Sequence, residues 1–238
     1  MVSTGDGCAT GYMALTAMGF YVEKYYSIEI DPKRRAVADN IVPGGVMDRS
    51  LGNDVCSMDY SRLDDIECVD VWLGTPRCVA WSRCLDEKDL LGFESERALD
   101  FQASAVLLHQ CLMRFPEMRF LFETNEVSDK KGEIWKKEQM QIQEDCVHCE
   151  FRKVQGTDFG SFMSRPRRVA SKVPWSEEEK IGYGDPDHCL QEGWRAVKKP
   201  TNCLLASQAT TDYPVLVCRN TDVMDQRGVY PDEADRLM

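Results

Sequence analysis

Apolar residues fall along this chain in short β-rich runs that alternate with stretches of helical spacing. That alternation is the pattern of βαβ units and a parallel sheet. A stub of strand at Met1 to Ser3 runs into the Gly-rich turn Gly5-Asp6-Gly7, and Ala9 to Met18 reads as an apolar helix. Tyr21 to Ile30 reads as a second strand that ends in acidic residues. Asp31-Pro32 then opens a helix, the aspartate as N-cap and the proline at the first helical position. Asn53-Asp54-Val55 reads as the end of a third strand. Val69 to Leu73 is a buried fourth, delivering the chain into Gly74-Thr75-Pro76-Arg77-Cys78. After a polar loop come a helix over residues 97–114, a fifth strand from Met118 to Glu123 and a charged helix from Glu133 to Glu144. Cys149 to Val154 and Arg168 to Val173 read as the sixth and seventh strands. Beyond Pro174 the periodicity fades, and residues 174–228 read as a small irregular lobe.

Composition adds little to that picture except by exclusion. With 43% hydrophobic and 29% charged residues, the 238-residue chain has the make-up of a water-soluble globular protein with room for one large domain. No apolar run approaches bilayer-spanning length and the N-terminus lacks a signal-peptide layout, so an intracellular protein with no membrane partner is expected. Its 11 cysteines form no regular framework and read as reduced thiols. A lone Cys146-Val147-His148-Cys149 has no matching second pair and reads as two ordinary thiols, so no metal is expected. The net charge of -11 weighs against tight unaided binding to nucleic acid. Arg165, Arg167 and Arg168, then Arg195, Lys198 and Lys199, are the candidates for a local basic groove.

The candidate chemistry sits at strand ends. A Gly-rich turn between a strand and a helix lets backbone approach a nucleotide-like ligand and offers free helix N–H groups. Glu29, closing the second strand, can accept both hydroxyls of a ribose, and Asp54 can meet an adenine amine. Ordinary strand-end polarity accounts for any one of these taken singly. Cys78, beside Arg77 after a buried strand, is placed to ionise and act as a nucleophile, although most cysteines are buried and inert. Glu123 in Phe122-Glu123-Thr124-Asn125 can hydrogen-bond or protonate a ring nitrogen. In Ser164-Arg165-Pro166-Arg167, both arginines share one face of an extended segment. A solvated arginine pair is the equally economical reading of that stretch.

The order of these features resembles the C5-cytosine methyltransferases, and most closely the de novo branch of the eukaryotic enzymes. Ser3-Thr4-Gly5-Asp6-Gly7-Cys8-Ala9-Thr10-Gly11-Tyr12 looks like that branch's S-adenosyl-L-methionine (AdoMet) motif, and Val22-Glu23-Lys24-Tyr25 fits the family's next stretch. Asp187-His188-Cys189-Leu190 with Lys198-Lys199 resembles its short target-recognition region. The resemblance covers essentially the whole chain. It implies an α/β fold, a Rossmann-like class I AdoMet-dependent methyltransferase with a mostly parallel seven-stranded sheet and helices on both faces. It also implies a division into an AdoMet-binding catalytic domain over residues 1–173, with its first strand cut short, and a target-recognition lobe over 174–228. Residues 229–238 would begin a C-terminal helix and stop before the family's last motif.

The activity so implied is that of a DNA (cytosine-5)-methyltransferase acting on double-stranded DNA. The target cytosine leaves the duplex, Cys78 adds to its C6, Glu123 eases the charge at N3, and Arg165 and Arg167 hold the base and order the Cys78 loop. Asp6, Gly7, Cys8, Thr10, Gly11, Glu29, Ile30, Asp54, Val55 and Pro76 would form the AdoMet site. A homo- or hetero-oligomer with related methyltransferase chains, and a nuclear location in a eukaryote, are further implications. The alternatives are a catalytically impaired, methyltransferase-like regulatory or binding module and an RNA cytosine-C5 methyltransferase. Two positions depart from the family: Arg77 stands where proline normally precedes the nucleophile, and Thr124 stands where an asparagine comes directly after Glu123.

Overall fold

Short β-branched and aromatic runs bounded by turn residues become the strands of one sheet. The computed structural model describes residues 1–77, 80, 92–125, 132–144, 148–158, 163–164, 166–174, 194–196, 201–202, 216–219 and 222–228. Strands β1 (Val2–Thr4), β2 (Tyr25–Ile28), β3 (Met47–Asp48), β4 (Val71–Gly74), β5 (Arg119–Asn125), β6 (Arg152–Gln155) and β8 (Pro166–Ser171) form a seven-stranded sheet in the order β3-β2-β1-β4-β5-β8-β6. The sheet is mostly parallel: β1 with β2, β1 with β4, β2 with β3 and β4 with β5 all run in the same direction. Because β1 lies between β2 and β4, the strand order reverses beside it, and a crevice opens there at the strands' carboxyl ends.

Alternation along the central strands divides the core between two faces. On one face Val2, Ile28 and Trp72 meet Phe101, Leu108 and Cys111 of α3 (Leu99–Arg114), together with Phe120 and Phe122 of β5. Phe122 sits at the middle of an aromatic group, 4.9 Å from Phe101, 5.5 Å from Trp72 and 6.0 Å from Phe151 between ring centres. On the other face Tyr25, Val71 and Leu73 meet Tyr12 and Leu15 of α1 (Thr10–Ala17) and Ala38 and Ile41 of α2 (Pro32–Ile41). Helices therefore cover both faces, as the sequence pattern predicts. The expected cap is in place too: Asp31 accepts from the Lys33 amide at 2.8 Å, with Pro32 in the first turn.

Two of the predicted strands differ. Strand β2 is confined to Tyr25–Ile28, because Gly19 adopts a positive φ of 87° and the chain through Phe20 and Tyr21 stays exposed. The third strand is Met47–Asp48 and not Asn53-Asp54-Val55. Gly52, at φ 97°, turns the chain there, and the Asp54 side chain caps a 3-10 turn over Val55–Ser57 by accepting from the Cys56 amide. A polar side chain that satisfies its own neighbour's backbone competes with strand pairing.

The chain divides into two units, Met1–Arg152 with Arg168–Trp175, and Lys153–Arg167 with Ser176–Met238. In the second, β9 (Trp194–Ala196), β11 (Leu216–Arg219) and β12 (Asp222–Gly228) make an antiparallel sheet in the order β12-β11-β9. A parallel pair joins β7 (Met163–Ser164) to β10 (Thr201–Asn202). Strands thus occupy part of a stretch expected to be irregular. The helix expected from residue 229 and the segment Asp187-His188-Cys189-Leu190 lie outside the described residues. Among the described residues no helix is long and apolar enough to cross a membrane.

Candidate functional site

The turn after β1 is held closed from three directions. The Gly5 amide donates to the Ile28 carbonyl at 3.0 Å, and the Thr75 amide donates to the Thr4 carbonyl at 3.0 Å. The Thr75 hydroxyl adds a bond to the Gly5 carbonyl at 2.9 Å. Gly5 has φ 62°, and a β-carbon there would stand 2.5 Å from the Thr75 carbonyl oxygen. Only glycine allows the ends of β1 and β4 to approach this closely.

Two buried carboxylates then shape the turn. Asp6 is 6% exposed and accepts from the hydroxyls of Ser3 (3.1 Å), Ser27 (2.6 Å) and Tyr25. Burial, reinforced by the Asp6 charge, pushes the Tyr25 phenol well above its ordinary pKa. Glu29, 4% exposed, accepts from the Gly7 amide at 2.8 Å through one oxygen and from the Asp31 amide at 2.9 Å through the other. Arg35 closes the far side by donating to the Glu29 and Ile30 carbonyls at 2.9 and 2.7 Å.

These strand ends border a cleft of about 190 Å³, lined by Glu29, Ile30, Asp54, Val55, Pro76 and Ser104 among others. Asp31 and Arg34 on one rim pair at 3.7 Å, and Arg77 and Asp100 on the other form an ion pair. Glu29 and Asp54 line the cleft and form no ion pair among the described residues, although the Arg77 charge is felt at Glu29. Ile30, although apolar, remains 50% exposed. The cleft therefore offers acidic acceptors and a bare hydrocarbon surface side by side. That combination suits a flat ring bearing donors or a positive charge.

The Arg77–Asp100 pair ties the segment after β4 to α3. The Asp100 hydrogen bond, more than any other influence, raises the Arg77 pKa further. Asp100 also accepts from the Cys56 thiol at 3.5 Å, and burial together with the Asp100 charge pushes that thiol up to about 11. The residue that precedes Cys78 is thus engaged by Asp100.

No protein-family model matches the chain, and no curated protein matches it either. Solved structures do match. The methyltransferase EhMeth of Entamoeba histolytica superposes with a TM-score of 0.64 at 13% identity, over 99% of this chain and 84% of its own. A putative DNA modification methyltransferase encoded within a prophage (E. coli) gives 0.53 at 16% identity, over 83% of this chain and 60% of its own. A DNMT2 mutant of Spodoptera frugiperda gives 0.51 at 13% identity, over 80% of this chain and 59% of its own. This chain has the fold of these methyltransferases. It spans about three fifths of the length of the last two.

Within the methyltransferase fold, the residues singled out from the sequence fall into three groups. Glu29, Ile30, Asp54, Val55 and Pro76 come together on the cleft. Asp6, Gly7, Cys8, Thr10 and Gly11 are not among its lining residues. Asp6 is spent on sheet hydroxyls and Gly7 on Glu29. Cys8 is a half-buried free thiol, Thr10 is exposed at the start of α1, and Gly11 lets that helix pass close to Leu73. The third group is the proposed reaction centre. Cys78 and Arg165 lie outside the described residues. Glu123 is half-buried on β5 beside the buried Thr124, and Arg167 is half-buried on β8, donating to the Pro166 carbonyl at 2.8 Å. Sequence reasoning missed Ser104 and Asp100. They lie on α3, one helical turn apart, where nothing in the local sequence separates a cleft-facing position from an ordinary core or surface one.

Proposed function

We propose that this chain is a DNA cytosine-C5 methyltransferase that uses AdoMet. The observation that carries the reading is the cleft at the carboxyl ends of β1, β2 and β4, where Glu29, Ile30, Asp54, Val55 and Pro76 converge within a methyltransferase fold. AdoMet has a ribose diol, an adenine with an exocyclic amine and a positively charged sulfur. Glu29 takes the diol, Asp54 the amine, and Ile30 and Val55 the faces of the ring. Two carboxylates that form no ion pair among the described residues suit a cation, and Ile30 gains the apolar cover it lacks. Bound there, the cofactor supplies a methyl group as an electrophile.

The remaining steps belong to the chain's own residues. Cytosine C5 is a poor nucleophile until the ring is made electron-rich. Cys78, as thiolate, adds to C6 and pushes density toward C5, while Glu123 hydrogen-bonds or protonates N3 where charge accumulates. After C5 is methylated, a base removes the C5 proton, the Cys78–C6 bond breaks and the thiolate leaves. Neither carbon is reachable inside stacked DNA, so the base must be extruded first, with Arg165 and Arg167 holding it. In the domain division we propose, residues 1–173 carry the cofactor and residues 174–228 the target recognition.

The test is transfer of tritiated methyl groups from AdoMet to duplex DNA, with tRNA as competitor. Counts in the 5-methylcytosine of DNA support the proposal. Counts confined to tRNA point to an RNA cytosine-C5 methyltransferase, and no incorporation from folded protein favours a non-catalytic binding module.

A further inference from the structure

Serine and threonine inside a helix ordinarily turn their hydroxyls back onto a carbonyl in the preceding turn. Thr16 in α1 does so, donating to the Tyr12 carbonyl at 2.9 Å and the Met13 carbonyl at 3.1 Å. Ser104 in α3 does not. Its side chain is 0% exposed, its hydroxyl has no hydrogen-bond partner among the described residues, and it lines the cleft. A buried hydroxyl left unpaired destabilises a fold, and alanine or valine would fill a helix position against this apolar core at lower cost. An orphaned hydroxyl on the wall of a cleft is explained when a ligand supplies the missing partner.

We infer that Ser104 is a ligand-binding residue whose hydroxyl donates to a ring nitrogen of the purine held in the cleft. The inference rests on the AdoMet reading above and adds a residue to it. The purine assignment comes from the neighbouring side chains. Val55 and the half-exposed Ile30 supply hydrocarbon for the ring faces, and Asp54 supplies an acceptor for an exocyclic amine. Asp100, one turn before Ser104, is already occupied by Arg77 and the Cys56 thiol, so it does not complete Ser104. A carboxylate or phosphate ligand would face Glu29 and Asp54 and is disfavoured. A purine ring nitrogen is a neutral acceptor and meets no such repulsion.

The experiment measures Ser104→Ala in two ways on the full chain. Thermal unfolding without ligand should show the variant melting at or above the wild type, because an unsatisfied polar atom has been removed. Calorimetric titration with S-adenosylhomocysteine should show binding about three- to tenfold weaker, the loss of one hydrogen bond. S-ribosylhomocysteine, which lacks the base, should bind wild type and variant alike. A serine with a purely structural role would lower the melting temperature and leave the ligand preference untouched. Equal affinity of both proteins for S-adenosylhomocysteine overturns the assignment of Ser104 alone. Failure of the wild type to bind S-adenosylhomocysteine overturns the cofactor reading and this inference together.

Discussion

Replacing Asp6 by alanine isolates a single buried carboxylate whose work the structure makes calculable. The substitution removes the common acceptor of three hydroxyls, on Ser3, Tyr25 and Ser27, none of them more than 4% exposed. Hydrogen bonds to a charged group contribute about 1.5–3 kcal/mol each, and a buried donor left unpaired costs about as much. The three do not add fully. Ser27 keeps a contact with Arg49 at 3.2 Å, and removing the charge also recovers its desolvation cost. The net loss is about 3–5 kcal/mol. For a chain of this size that is a fall in melting temperature of roughly 6–20 °C. Urea or thermal unfolding monitored by circular dichroism measures it, with Asp6→Asn as the control that keeps one acceptor oxygen and falls between. A loss below about 1 kcal/mol in Asp6→Ala would refute the reasoning. Unchanged stability with weakened S-adenosylhomocysteine binding would return Asp6 to the cofactor contact that the sequence pattern gave it.

Other consequences are equally direct. The raised pKa of Tyr25 means that the folded protein keeps a proton the unfolded chain releases. Its stabilising contribution is intact below about pH 10 and declines as pH rises further. Urea midpoints should therefore drop at alkaline pH, and less steeply in Tyr25→Phe; parallel curves would contradict the assignment. Gly5→Ala combines a positive φ with a backbone clash and should cost more than about 2 kcal/mol while abolishing S-adenosylhomocysteine binding, read by calorimetry. Asp100→Asn should speed alkylation of Cys56, by removing the charge that helps hold its thiol near 11. Mass spectrometry should find Cys111, pushed up to about 12 by burial alone, still protected in that variant.

The sequence carried the fold wherever a local signal and a tertiary contact agreed. Asp31-Pro32 announces a helix because the cap and the fixed φ act within one turn. Val69 to Leu73 announces a buried strand because both of its faces meet helices, through Trp72 on one side and Val71 and Leu73 on the other. Asn53-Asp54-Val55 misled because Asp54 satisfies the next turn's backbone, a short-range competitor that a hydrophobic pattern does not register. The cleft was legible at Glu29 and Asp54, acidic residues at the ends of the runs read as the second and third strands. Asp6 accepts from three hydroxyls of the sheet, and an acidic residue in a Gly-rich loop reads the same whether it meets a ligand or such hydroxyls. Ser104 gave no signal, because its significance lies in a bond it does not make. Arg77 is similar: its partner Asp100 is 23 residues away, beyond the reach of any local pattern.

Covalent trapping tests the central claim most directly. The protein would be incubated with AdoMet and a duplex carrying 5-fluorocytosine, whose fluorine blocks the final elimination and leaves an active enzyme attached to its substrate. The account predicts a denaturant-resistant protein–DNA adduct that requires AdoMet and is absent in Cys78→Ala. Folded wild-type protein that binds S-adenosylhomocysteine yet forms no adduct would contradict it, leaving a methyltransferase fold without cytosine-C5 chemistry.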